Sequence, residues 1–183
     1  MRVVSGRLGG RRLIAPDGRD TRPTTDRVRE AVFNALGSAG LIQDALVADL
    51  YAGSGAIGIE AISRGAAHCV FVERDRSALN ALESNIRALG IDEISAVRRS
   101  AVAGVVGSLD VDLVFADPPY GEVDWADLLG QIAAPFVVAE DDHEVRPPEG
   151  WHTVRARRYG RTWVTFLERR PSATSESAGG ELS

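Results

Sequence analysis

At 183 residues with 44% hydrophobic content, the chain is long enough for one well-packed domain and too short for two of ordinary size. No apolar run reaches membrane-span length, the start "MRVVSGRLGG" has no signal-peptide core, the single cysteine excludes a disulfide or a cysteine-cluster metal site, and the three histidines show no ligand spacing; a cytoplasmic protein with no membrane partner and no metal is expected. The net charge of −5 is unevenly spread, with eight arginines against four acids in residues 1–30, six against eighteen in 31–145 and seven against two in 146–170, so basic ends flank an acidic middle.

In chain order, "RVVSGRLGGRRLI" predicts a hairpin turning near Gly9-Gly10. "TTDRVREAVFNALGS" predicts a helix capped by Thr24 or Thr25, with Val28, Val32 and Leu36 on one face. From residue 45 strands and helices alternate. "ALVADLY", "HCVFVE", "ISAVRR", "VDLVFAD" and "FVVAE" read as strands. "AIGIEAISRG", "SALNALESNIRALG" and "WADLLGQIAA" read as helices, the second with Leu79, Leu82, Ile86 and Leu89 on its inner face. Apolar strands separated by amphipathic helices indicate a parallel sheet covered on both faces. After residue 150, "WHTVRARRY" and "RTWVTFLER" alternate with period two around Tyr159-Gly160, the pattern of an antiparallel hairpin, and "PSATSESAGGELS" has too little to bury to be ordered.

Three strand ends carry chemistry. Gly53, Gly55 and Gly58 follow the first strand as G-x-G-x-x-G, a turn that lets backbone amides approach a ligand closely. Asp49, four residues earlier, suits a cationic or amino-bearing ligand, and Glu73, at the end of the second strand, stands where a carboxylate can take ribose hydroxyls. At the end of the fourth strand comes Asp117-Pro118-Pro119-Tyr120. An ionised carboxylate accepts hydrogen bonds only, and the Pro118 carbonyl adds a second acceptor on a chain stiffened by two prolines. Two rigid acceptors match an amino group, and the Tyr120 ring offers a stacking face for the base that bears it.

This constellation resembles the AdoMet-dependent amino-methyltransferases, in which the D-P-P-Y sequence marks N-methylation. Together "RVVSGRLGGRRL", "TRPTTDRVREAVFNAL", "DLYAGSGAIGIEAISRGA", "VFVERD", "DLVFADPPYG" and "YGRTWVTFL" are similar to the RsmD family across residues 2 to 167. The resemblance implies a Rossmann-like class I AdoMet methyltransferase: a mostly parallel sheet with an antiparallel C-terminal hairpin, plus an N-terminal β-hairpin and helix. The chain is expected to divide into an extension (1–40), whose dense arginines dock RNA and whose "RPTTDR" stretch helps cover the cofactor crevice, a methyltransferase domain (41–170) and a disordered tail (171–183). The implied reaction carries the methyl group of S-adenosylmethionine to the exocyclic N2 of a guanine in 16S ribosomal RNA, with an assembling small subunit as the setting. Asp117, Pro118 and Tyr120 would be catalytic. Asp49, Gly53, Gly55, Glu73, Ser100 and Asp117 would hold the cofactor, and Arg7, Arg11, Arg12 and Arg22 the RNA. The rivals are a DNA adenine-N6 or protein-glutamine methyltransferase, a nicotinamide dehydrogenase, which leaves Asp117 to Tyr120 unexplained, and a non-catalytic RNA-binding scaffold.

Overall fold

Strands buried on both faces can pair only inside a covered sheet, and the computed structural model, which describes residues 1–16 and 26–171, has that sheet. Parallel strands β1 (Leu46–Leu50), β2 (His68–Glu73), β3 (Ser95–Arg99), β4 (Leu113–Ala116) and β5 (Phe136–Asp141) are joined by antiparallel β6 (Trp151–Tyr159) and β7 (Thr162–Arg169). Their order is β3-β2-β1-β4-β5-β7-β6. Because β1 pairs with β4, with Leu50 beside Ala116, the glycine turn and the acid-proline turn leave the sheet side by side. That adjacency is the topological switch point at which such sheets bind ligands.

One face of the sheet is covered by α1 (Asp26–Ser38), α2 (Ala56–Ser63) and α3 (Arg76–Leu89), and the other by α4 (Trp125–Gln131). Phe33 of α1 meets Phe115 of β4 with ring centroids 5.2 Å apart. Asp75 caps α3 by accepting from the Ala78 amide, and Gly90, at φ 64, ends it. The inner face of α3 is turned from the leucine stripe its sequence suggests: Ala78, Ala81, Leu82, Asn85 and Ile86 are buried, whereas Leu79 and Leu89 are half-buried. Close approach explains the turn, since a side chain at Gly55 would come within 2.4 Å of Leu82 Cδ1. Helix α4 is shorter than expected, because Ile132 is already extended (ψ 125) three residues before Pro135.

The N-terminal hairpin forms around an antiparallel bridge between Arg2 and Arg12, with Val3 donating to the Arg11 carbonyl at 3.0 Å, Gly10 to that of Val3 at 2.9 Å and Leu13 to that of Met1 at 3.1 Å. Four of its other amides turn to α2. Val4 and Ser5 donate to the Glu60 carboxylate at 2.7 and 3.0 Å, Arg7 to the Ser63 carbonyl at 2.8 Å, and Leu8 to Ser63 Oγ at 3.0 Å. Gly6, at φ 81, passes so near that a side chain there would meet the Ser63 carbonyl. Glu60 is fully buried and is also paired with Arg64 at 2.7 Å and with the buried Arg29 at 3.7 Å. Val3, Leu8 and Leu13 join the apolar cluster of α1 to α3, so residues 1–40 share the core of the sheet where they are described. The expected cap at Thr24 or Thr25, Arg22, and residues 172–183 of the tail lie outside the described residues. Among the described residues no helix is long and apolar enough to cross a membrane.

Candidate active site

The first wall of the crevice is the turn after β1. Tyr51 and Gly53 both take positive φ, 64 and 56, and Gly55, at φ 81, stands at the N-cap of α2. Such a backbone strains tyrosine, and a positive-φ aromatic beside a ligand turn is the kind of outlier that function retains. The three glycines serve different ends. Space opens over Gly53, whereas side chains at Gly55 and Gly58 would collide with Leu82, Phe71 and Cys69. Gly53 is therefore the residue of the turn presented to a ligand, and Gly55 and Gly58 let α2 and α3 seat against the sheet.

Both acids expected here face the turn from below. Glu73 accepts three backbone amides: Gly53 at 2.9 Å on one oxygen, Arg74 at 2.7 Å and Asp75 at 2.8 Å on the other. The expected ribose ligand thus also fixes the glycine turn to the end of β2. Asp49 is buried and accepts from the Gly58 amide at 2.9 Å. Burial pushes its carboxyl up to about 8, against the lowering effect of that amide and with a further push from Glu73. The folded protein therefore holds this proton between the usual carboxylate range and about pH 8, where the unfolded chain has released it, so stability falls as pH rises through that window. Asp49→Asn keeps an acceptor for Gly58 and removes the titration. Its melting temperature should decline less than the parent's between about pH 5 and 9, and parallel profiles would take Asp49 out of this account.

Ser100 follows β3 and donates its amide to the Glu73 carbonyl at 3.1 Å, which brings it to the same rim. Asn85 was not legible as a site residue, although a polar residue in an apolar helical stripe is a signal. Its side chain donates to the carbonyls of Ser54 and Ile14, both at 3.0 Å, and accepts from the Ile14 amide, tying the N-terminal segment to the glycine turn.

The second wall is the turn after β4. Asp117 is half-buried, Pro118 buried, and the ring of Tyr120 half-buried. The Tyr120 hydroxyl shares a 2.9 Å hydrogen bond with Thr162 Oγ1 at the start of β7, a contact that nothing in the local sequence announces. Across the rim, Arg74 after β2 approaches Glu122 at 4.0 Å. Beyond Gly121, residues Val123 to Ala126 and the exposed His143, Glu144 and Arg146 line a cleft of about 620 Å³. Contrary to what histidine spacing suggests, Asp141, Asp142 and His143 bring possible metal-ligand atoms within 4.8 Å of one another. Their groups are engaged already: Asp141 accepts from Trp125 Nε1, and Asp142 from His143 at 2.7 Å, a bond that raises the imidazole's pKa.

The expected RNA contacts lie apart from this crevice. Arg7, Arg11 and Arg12 are exposed. The Arg7 amide is bound at the end of α2, and α2 runs from the carboxyl end of β1 to the amino end of β2, so that end lies at the opposite rim of the sheet from Asp117. Arg11 reaches the Ala88 carbonyl of α3 at 3.3 Å.

The chain has counterparts among known proteins. The family model described as conserved hypothetical protein 95 matches residues 1–168. The Bacillus subtilis protein YlbH, provisionally named an rRNA methyltransferase, is 38% identical over 93% of this chain and all of its own length. The Escherichia coli (strain K12) ribosomal RNA small subunit methyltransferase D is 40% identical over 66% of this chain and 60% of its own length. A solved Escherichia coli structure, provisionally described as the methyltransferase yhhF, superposes with a TM-score of 0.81 at 34% identity, covering 92% of this chain and 97% of that one.

Proposed function

Since the chain belongs to the RsmD family, the one described as conserved hypothetical protein 95, we propose that it transfers a methyl group from S-adenosylmethionine to the exocyclic N2 of a guanine in 16S ribosomal RNA. Methyl transfer to ribosomal RNA is the activity for which its relatives are named. The observation that carries the finer reading is the emergence of Asp117 and Pro118 beside the glycine turn, at the paired ends of β4 and β1. Gly53, Glu73 and Ser100 suit the cofactor: open space over Gly53 leaves room for close approach and the Glu73 carboxylate complements a cation, while Asp49, which burial keeps protonated up to about pH 8, and Gly55, packed under Leu82, support the turn from within. When bound, the cofactor supplies an electrophilic methyl group on a sulfonium.

The protein's part is positioning. Delocalisation into the ring makes a guanine amine a weak nucleophile, so its lone pair has to be aimed. Asp117 and the Pro118 carbonyl accept its two N–H bonds, and Asp117 takes the proton, directly or through water, once nitrogen has gained the methyl group and become cationic. Nothing has to deprotonate the amine first. Holding reactants in line in this way accounts for a large part of many enzymatic rate enhancements. Arg7, Arg11 and Arg12 would contact the RNA away from the crevice, and Arg22 would contact it as well. The deciding experiment incubates the protein and labelled AdoMet with small subunits from a strain lacking the gene, then maps the label by nucleoside analysis. Label in N2-methylguanosine of the small-subunit RNA supports the reading, and label in adenine or protein overturns it.

Tyr120 is assigned to stack the guanine, with Thr162 holding its ring. Tyr120→Ala should raise KM for RNA by the equivalent of about 1–3 kcal/mol of lost stacking. Tyr120→Phe and Thr162→Val should each lose only about 0.5–1.5 kcal/mol, the value of a neutral hydrogen bond, and should match each other. If Tyr120→Phe is as damaging as Tyr120→Ala while Thr162→Val is mild, the hydroxyl itself acts on the substrate.

A further inference from the structure

The β6–β7 hairpin carries arginines that no catalytic step uses. We propose that Arg155, Arg157, Arg158 and Arg161, on the tip and outer edge of this hairpin, form a phosphate-binding surface that seats the RNA backbone flanking the target nucleotide. The inference rests on the reading above that the acceptor is RNA.

Position is the first support. Trp163 of β7 pairs with Asp141 at the carboxyl end of β5, so the Tyr159–Thr162 turn stands at the same rim of the sheet as the acceptor turn. The Tyr120–Thr162 hydrogen bond joins the two directly. Backbone captured at this tip is therefore held next to the residue assigned to stack the base.

Arrangement is the second. β6 is the outermost strand, and its register shifts between Thr153 and Arg155, an irregularity that bends an edge. Arg155 and Arg157 lie opposite Phe166 and Val164, so they share one face, with Cα atoms about 6.5–7 Å apart along the strand. Arg158 projects from the other face, its Nε donating to the Gly160 carbonyl at 2.9 Å, and Arg161 lies in the turn. All four are exposed.

Charge is the third. None of the four forms an ion pair among the described residues, and Glu168, the only acid on the two strands, is at the far end, 3.3 Å from His152. A protein with net charge −5 that gathers unpaired guanidinium groups beside its acceptor turn presents a local match for phosphate. Arginines on an edge strand also deter strand-to-strand aggregation, and the experiment separates the two roles.

The test compares the parent with R155Q/R157Q/R161Q, using small-subunit ribosomal RNA and unmethylated small subunits as probes over a range of KCl concentrations. RNA affinity should fall about tenfold or more, and the salt slope should flatten by about 0.7 for each phosphate that the variant no longer neutralises. AdoMet affinity and melting temperature should stay at the parent's values. R155K/R157K/R161K, which keeps the charge, should recover most of the slope. The proposal is overturned if the glutamine variant keeps the parent's RNA affinity and slope, if it only aggregates more readily, or if its RNA loss comes with an equal loss of AdoMet binding. Should the parent fail to methylate either probe, the reading of the acceptor falls and this surface with it, an outcome distinct from a variant that behaves like an active parent.

Discussion

Asp117→Ala should lower the rate of methyl transfer at saturating cofactor by about a hundredfold to a thousandfold, the usual cost of removing a preorganised group aimed at developing charge. AdoMet affinity should change little, because the carboxylate is assigned chiefly to the acceptor amine and the cofactor is held mainly from β1 and β2. Alanine leaves the amine to the Pro118 carbonyl, on a buried and stiff residue. Single-turnover transfer to small subunits, with cofactor binding measured by calorimetry, reads both quantities. Parental turnover in the variant would remove Asp117 from the mechanism.

Glu73→Ala should act on the other substrate. Losing a buried carboxylate that accepts amides from Gly53, Arg74 and Asp75 costs about 1.5–3 kcal/mol per charge-assisted hydrogen bond at most, partly offset by water. AdoMet affinity should fall at least about tenfold, and the melting temperature by several degrees. Two contributions are mixed in that loss: a direct hold on the ribose and an indirect hold through the Gly53 turn. A cofactor analogue lacking one ribose hydroxyl separates them. If Glu73 acts on the ribose, the variant discriminates less than the parent between AdoMet and the analogue; equal discrimination by both proteins assigns Glu73 wholly to the turn. An unchanged dissociation constant would leave it no part in cofactor binding.

What the sequence disclosed and what it hid follow a physical division. The alternation of strands and helices, the pairing of β1 with β4 and the meeting of the glycine turn with Asp117 were legible, because each depends on local period or on a topology rule. Contacts that join residues far apart in the chain were not. Glu60 in "AIGIEAIS" reads as a helix-surface acid, yet it is fully buried by an N-terminal segment more than fifty residues away. Thr162 reads as an ordinary strand residue, and only the return of β7 to the rim of the sheet puts it against Tyr120. The N-terminal hairpin was legible and its seat was not: Val3, Gly10 and Leu13 bond across it as its turn predicts, while Val4 and Ser5 between them reach the distant Glu60.

The clasp at Glu60, Ser63 and Asn85 also bears on how the chain is made. Val4, Ser5 and Leu8 wait for acceptors 55 or 56 positions downstream, and Ile14 for one 71 positions downstream. Synthesis runs from the amino end, so this segment leaves the ribosome before α2 and α3 and cannot close until they have followed it. Until then Val3, Leu8 and Leu13, buried in the finished protein, travel uncovered beside Arg2, Arg7, Arg11 and Arg12, whose like charge disfavours contact between such segments.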